Sequence, residues 1–266
     1  MIIQIEVLMM IQTVALKALR DNYIWMVVNP HDSTCIAVDP GASAPVITFL
    51  QRHQLRLSTI LVTHHHPDHT QGIPDLLDQD PLIIGSAHST CPYINRKIQE
   101  GQQLHLPQMN LTLRAFETPG HTLCHISFLI ENQLFTGDTL FSAGCGRIFE
   151  GTPSMMYHSL QKLIQLPDDT KIYCGHEYTQ QNLVFASHVE PHNLIIKNRL
   201  AWAKTQQNTL PSTLAYERHI NPFLRSDHPD VIQAAQTYNP ETTRDPIDVL
   251  STLRTWKNEF KPDLLL

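Results

Sequence analysis

Thr59-Ile60-Leu61-Val62-Thr63 is a buried-strand pattern, and the chain turns polar at once into His64-His65-His66-Pro67-Asp68-His69. Pro67 cannot extend a sheet interior, so the strand ends where the histidines begin. On an extended backbone side chains 64 and 66 point the same way, and two imidazoles can reach one metal ion. A helix starting near Pro67 projects Asp68 and His69 from its first turn toward a neighbouring position. One short loop then offers four ligands to two adjacent ions. His65, between two ligand positions, is expected to face away and to be structural.

Two further histidine turns follow. Thr118-Pro119-Gly120-His121 is a loop after a strand, and Gly120 permits close backbone approach. Tyr173-Cys174-Gly175-His176 repeats the device, and between them Phe135-Thr136-Gly137-Asp138 ends a strand in glycine and then aspartate. A carboxylate has two oxygens and can bridge ions about 3.5–4 Å apart, which a neutral imidazole cannot do. Asp138 is therefore the expected bridge. A lone histidine at a strand end is usually a surface or hydrogen-bonded residue. Four ligating positions in six residues, with two Gly-His turns and one Gly-Asp turn behind them, point to a metal centre. His125 suits a core role or one behind the ligands. Asp39, in Val38-Asp39-Pro40-Gly41, can orient a ligand imidazole or simply start the turn.

Around these turns the first two-thirds of the chain alternates short β-branched runs with turn residues. Strands are expected at Val14–Ala18, Tyr23–Val28, Cys35–Asp39, Thr59–Thr63, Leu82–Gly85, Leu111–Phe116, His125–Ile130 and Ile172–Cys174. A helix fits Pro45–Gln54 with Ser43 as N-cap, and another fits Ser154–Leu166. After His176 the texture changes. No convincing strand follows Gln180, whereas Ile195–Gln206 and Ile247–Phe260 carry helical periodicity, the latter behind a good helix start at Asp245-Pro246. The expected organisation is a mixed α/β domain at 1–176 and a helical domain at 177–266.

Bulk properties narrow the function classes. At 266 residues, 42% hydrophobic and 17% charged, the chain can bury a real core. Its net charge of -6 argues against broad nucleic-acid or membrane binding, which wants a basic surface. Cys35, Cys91, Cys124, Cys145 and Cys174 are scattered and form no CxxC pair, which favours free thiols in a reducing compartment. No run approaches the roughly 18 apolar residues of a membrane-spanning helix. Met1–Leu8 makes a poor signal peptide; it reads as a strand, or as an upstream extension with initiation at Met9 or Met10. The expected location is cytoplasmic.

Thr63-His64-His65-His66-Pro67-Asp68-His69 resembles the THxHxDH signature of the metallo-β-lactamase superfamily, and Gly120-His121, Gly137-Asp138 and Gly175-His176 follow in that order. Within it, Asp21-Asn22-Tyr23, Ala143-Gly144-Cys145-Gly146-Arg147, Glu150-Gly151-Thr152, Gly175-His176-Glu177-Tyr178-Thr179 and Asn221-Pro222-Phe223-Leu224-Arg225 resemble the glyoxalase II family of hydroxyacylglutathione hydrolases. The resemblance implies an α+β fold, a four-layer αββα sandwich with a C-terminal α-helical domain over the substrate. It implies one metal on His64, His66 and His121, a second on Asp68, His69 and His176, and Asp138 with a hydroxide nucleophile between them. Asp68 and Asp138 are then the catalytic carboxylates. The two cations are expected to be zinc, with iron or manganese as alternatives.

Carried over in the same way, Arg147, Tyr178, Arg254 and Lys257 fall where relatives bind glutathione. Arg254 and Lys257, at i, i+3 on one helical face, independently suit an anionic tripeptide. Some relatives carry Lys and Tyr where this chain has Arg147 and Phe149; Arg147 keeps the charge, and Phe149 is expected to be packing. The implied reaction converts S-D-lactoylglutathione to D-lactate and glutathione in methylglyoxal detoxification, by a monomer. The rivals are an iron-dependent glutathione persulfide dioxygenase of the same superfamily and a non-catalytic, metal-stabilised module.

Overall fold

A computed structural model describes residues 11–261; the Met1–Leu8 stretch lies outside them. Two six-stranded sheets carry the first two-thirds of the chain. The first runs in sequence order: β1 (Gln12–Ala18), β2 (Asn22–Asn29), β3 (Thr34–Val38), β4 (Arg56–Val62), β5 (Leu82–Ser86) and β6 (Arg96–Ile98). The second contains β7 (Gln103–Leu106), β8 (Leu111–Glu117), β9 (Ile126–Ile130) and β10 (Gln133–Gly137). A small separate hairpin, β11 (Leu140–Phe141) and β12 (Gly144–Cys145), precedes β13 (Lys171–Cys174) and β14 (Ser212–Thr213). The order across the second sheet is β14-β13-β10-β9-β8-β7.

Period-2 alternation builds the layers. Tyr23, Trp25, Val27, Ile36, Val38 and Leu61 face Leu113, Ala115, Ile126, Phe128, Ile130 and Phe135 between the sheets. Their neighbours Ile24, Met26, Ala37 and Ile60 pack outward on Val46 and Leu50 of helix α1 (Ser43–His53). Opposite, Phe116, Leu134 and Ile172 of the second sheet meet Met156, Leu160 and Leu163, which follow a one-turn α2 (Pro67–Thr70) and belong to α3 (Pro153–Leu163). The result is the αββα order expected. Strands buried on both faces read as near-continuous apolar runs. Each fully buried Phe, Leu or Ile contributes about 1.5–3 kcal/mol of transfer free energy.

The remaining helices are α4 (Thr179–Val189), α5 (Leu194–Ala203), α6 (Leu214–Ile220), α7 (Pro229–Tyr238) and α8 (Pro246–Glu259). Phe185, Val231 and Leu253 from this group join the α3 core. Asp245 caps α8, accepting from the Ile247 amide at 2.8 Å.

Several expectations need correction. A strand does follow Gln180: β14 pairs with β13 through Ser212↔Ile172, two residues being too few to show alternation. Ser43 is not an N-cap. It opens α1 after Ala42, and its hydroxyl donates to Asp75 at 2.6 Å. The α3 helix stops at Leu163, short of Leu166 and ahead of Pro167. Strands β6 and β7 escaped notice because three or four residues rich in Arg, Lys, Gln and His carry no strand signature.

Candidate metal centre

Every chemistry-bearing turn leaves the C-terminal end of a strand, and the pairing brings those ends to one edge. Parallel β10 and β13 align Gly137 with Cys174, so the turns to Asp138 and His176 emerge side by side. Parallel β3 and β4 set Asp39 beside Thr63, whose amide donates to Asp39 Oδ1 at 2.8 Å. The Ile126 amide donates to Thr63 O at 2.9 Å, tying the two sheets together there. Gly137 takes φ +44, a left-handed conformation that costs glycine little. At Gly175 a Cβ would stand 2.6 Å from Asp138 Oδ1 and 2.8 Å from the His69 ring, so only glycine lets the two turns close on each other.

Three ring nitrogens meet in one set. His66 Nδ1 lies 3.1 Å from His64 Nε2 and 3.0 Å from His121 Nε2. In a second set Asp68 Oδ2 lies 3.4 Å from both His69 Nε2 and His176 Nε2. Asp138 reaches both: its Oδ2 is 3.5 Å from His121 Nε2 and 3.4 Å from His176 Nε2, and its Oδ1 is 3.5 Å from His69 Nε2. The structure thus brings together all seven residues expected to hold metal.

Both sets suit divalent cations. Tetrahedral zinc with bonds of about 2.0–2.1 Å implies ligand–ligand edges near ~3.3 Å, and the separations here run from 3.0 to 3.5 Å. His69 Nε2 and Asp138 Oδ1 are buried with no hydrogen-bond partner among the described residues. Buried polar atoms are rarely left so, and a cation would satisfy both.

The electrostatics differ between the sets. Burial, with the surrounding histidines, holds the His64 pKa well below its ordinary value. Burial and neighbouring histidines also lower His66. Burial outweighs Asp138 in lowering His121. These rings are neutral and offer lone pairs. In the second set burial opposes charge on His176, but Asp138 and Asp68 carry its pKa up to about 10. Burial likewise opposes charge on His69, and Asp138 and Asp39 overcome it. Burial works against the Asp68 and Asp138 carboxylates too, yet the facing histidines hold both well below the usual range.

Three of the five rings are aimed from behind by a carboxylate or a carbonyl. His121 Nδ1 donates to Arg147 O at 2.7 Å. His69 Nδ1 stands 3.0 Å from Asp39 Oδ2, so Asp39 takes the orienting role. His176 Nδ1 stands 2.8 Å from Asp21 Oδ1, and Asn22 Nδ2 donates to Asp68 Oδ2 at 2.9 Å. His125, fully buried, accepts from the Asp138 amide at 3.1 Å, the place behind the ligands foreseen for it. His65 does turn away, to Cys124 Sγ at 3.2 Å and Glu150 Oε1 at 3.3 Å.

Beside the metal-site residues lies a cavity of about 260 Å³ lined by Phe141, Cys145, Arg147, Tyr178, Arg254 and Lys257 among others. It therefore unites the four residues expected to bind substrate. None of its three cations makes an ion pair within 4.0 Å among the described residues. Arg254 Nη1 donates to Cys145 O at 2.8 Å and Lys257 Nζ to Gln181 O at 3.0 Å. Burial, then repulsion from Arg254, lowers the Lys257 pKa to about 8. Tyr178 stacks on His176, ring centroids 4.8 Å apart and 5° from parallel, joining cavity to metal site.

A model of the metallo-beta-lactamase superfamily matches residues 19–176, and one of the hydroxyacylglutathione hydrolase C-terminus matches 177–260. A hydroxyacylglutathione hydrolase of Vibrio cholerae is 42% identical over 94% of this chain and all of the relative. One from Nitrosomonas europaea is 44% identical, covering 95% and 97%. The chain belongs to the hydroxyacylglutathione hydrolase family. Among solved structures, ETHE1 from Myxococcus xanthus superposes with TM-score 0.64 at 23% identity over 94% of this chain and 98% of that one. The BLEG-1 B3 metallo-beta-lactamase gives 0.62 at 22%, over 81% and 99%. At such identities the likeness is one of fold.

For this hydroxyacylglutathione hydrolase family member, residue-level reasoning missed Asp21 and Asn22. Asp21 ends the turn between β1 and β2 and Asn22 opens β2, some 150 residues from His176, and the only signal was the Asp21-Asn22-Tyr23 motif itself. Phe149 is also corrected. It is 59% exposed rather than packed away, its ring nearly perpendicular to the His66 and His121 rings and its centroid 5.3 Å from the Arg147 guanidinium.

Proposed function

We propose that the chain hydrolyses S-2-hydroxyacylglutathione thioesters, converting S-D-lactoylglutathione to D-lactate and glutathione in methylglyoxal detoxification. The observation that carries this is the stack of Tyr178 on His176, because it makes one continuous site of a double metal-binding set and a tricationic cavity. Relatives over 40% identical that carry the hydrolase name support the same reading.

In this reading His64, His66 and His121 would hold one ion and Asp68, His69 and His176 the other, with Asp138 facing both sets. Zinc bound there would supply a Lewis acid for a carbonyl and would lower the pKa of water from 15.7 to about 7. Asp39, Asp21 and the Arg147 carbonyl fix the tautomer of three rings, leaving each Nε2 turned inward. Arg147, Arg254 and Lys257 bind the carboxylates of the glutathione moiety, and the Tyr178 ring orients it over His176. A thiol leaving group with a pKa near 8.5 departs as thiolate without strong acid help. Burial pushes the Cys145 and Cys174 thiols up, so neither serves as nucleophile.

The proposal takes residues 1–176 as the catalytic domain and 177–266 as the substrate-binding one. All eleven functional side chains come from one chain, so a monomer suffices. Five buried, unbridged cysteines suit the cytoplasm. A persulfide dioxygenase on one iron would leave Asp68, His69 and His176 without purpose. The test is S-D-lactoylglutathione hydrolysis before and after chelation, with elemental analysis of the same sample. Turnover that ignores the chelator, or none in fully metallated protein, rejects the proposal.

A further inference from the structure

Glu217 is fully buried, yet no cation lies within ion-pair distance of it among the described residues. An unpaired buried carboxylate is costly unless hydrogen bonds replace its water. Four donors do so. Its Oε1 accepts from Ser142 Oγ at 2.9 Å and Ser212 Oγ at 2.5 Å. Its Oε2 accepts from the Ala143 amide at 2.7 Å and Asn221 Nδ2 at 3.3 Å. Asn221, equally buried, also donates to Phe141 O at 3.1 Å and Gly144 O at 3.0 Å, and Asn182 donates to Ser142 O at 3.0 Å. Three side chains from beyond residue 177 thus grip the 141–144 backbone, where Ala143 is held at φ +55.

That hairpin forms one wall of the tricationic cavity. Phe141 and Cys145 line it, and the Cys145 carbonyl anchors Arg254. Asp138 is anchored independently, by its amide on His125 and by the Gly175 amide on Gly137 O. We infer that Glu217 and Asn221 are positioning residues that clamp the Phe141–Cys145 hairpin, and so fix Arg254 and the cavity wall against the thiol half of the substrate. The inference rests on the proposed thioesterase reading for what fills the cavity. It commits to an effect on binding rather than on the metal centre.

The test uses the metal-loaded full chain with Glu217→Gln, which keeps the shape and turns one acceptor into a donor facing the Ala143 amide. KM for S-D-lactoylglutathione should rise at least about tenfold, with kcat within about twofold and metal content unchanged. Ser142→Ala, which deletes one donor, should raise KM about threefold and covers the case in which the glutamine variant does not fold. In Glu217→Gln/Arg254→Ala the KM should be no higher than in Arg254→Ala, because the clamp acts through Arg254. An unchanged KM with a lower kcat, or additive effects in the double variant, overturns the clamp. Amide hydrogen exchange decides it independently of substrate: 141–145 should exchange faster in the variant while 171–174 stays protected. Unchanged exchange at 141–145 sinks the clamp, whereas an inactive wild type sinks only the thioesterase reading.

Discussion

His69 Nδ1 and Asp39 Oδ2 meet at 3.0 Å, both buried, on turns thirty residues apart. The same carboxylate takes the Thr63 amide at 2.8 Å and the Thr63 hydroxyl at 2.7 Å, so it cannot swing away. The His69 proton is thereby held on Nδ1, and Nε2 faces Asp68 and Asp138.

Removing that carboxylate should therefore weaken the second metal-binding set while leaving the first. Asp39→Asn is expected to lower second-metal affinity by about 10–100-fold, read by metal titration of the chelated protein. Two equally tight ions in the variant would refute the orienting role.

Asp138 faces both sets, and Asp138→Ala should cost roughly a thousandfold in turnover. A metal contributes several kcal/mol to the transition state, at about 1.36 kcal/mol per tenfold. Retained stoichiometry with normal kcat would dismiss the bridge.

Metal uptake should release protons, unequally at the two sets. In the metal-free protein His176, with its pKa up at about 10, and His69 are protonated at neutral pH, whereas His64, His66 and His121 are not. A cation must displace protons from the second set, so its affinity falls as pH falls. Calorimetric titration in buffers of different ionisation enthalpy should show more protons released on filling the second set than the first; equal release would refute the difference.

Arg254→Ala and Lys257→Ala should raise KM by about tenfold or more, since hydrogen bonds to charged groups contribute roughly 1.5–3 kcal/mol, with kcat little changed. Lys257 adds a pH signature. Its ammonium binds an anion, and with a pKa near 8 the charge is present below that pH and lost above it. KM should climb several-fold between about pH 8 and 9 in the wild type and stay flat in Lys257→Arg, whose guanidinium remains charged. Parallel profiles would place the titration elsewhere.

The four-layer fold was legible because most long strands, β2 and β4 above all, are buried on both faces, a pattern local sequence carries. The stretches that failed are short and polar: Arg96–Ile98, Gln103–Leu106 and Ser212–Thr213 become strands only because a neighbouring strand offers its edge.

The His64–His69 run, and glycine followed by histidine or aspartate at three strand ends, also announced themselves locally, which is why the seven residues that the structure gathers could be named from sequence. Of what stands behind them, Asp39 and His125 were legible only as one of two readings each, and Asp21 not at all. Asp21 reaches His176 only because the β1–β2 turn lies against the β13 exit, joined by the Tyr23 amide to Gly175 O at 2.8 Å. Nothing local marks Glu217 until the hairpin at 141–144 is packed against it. Ligand type and strand periodicity belong to neighbours in the chain, and sequence displays them. Orientation and charge state belong to neighbours in space, and tertiary packing alone decides which carboxylate faces which ring.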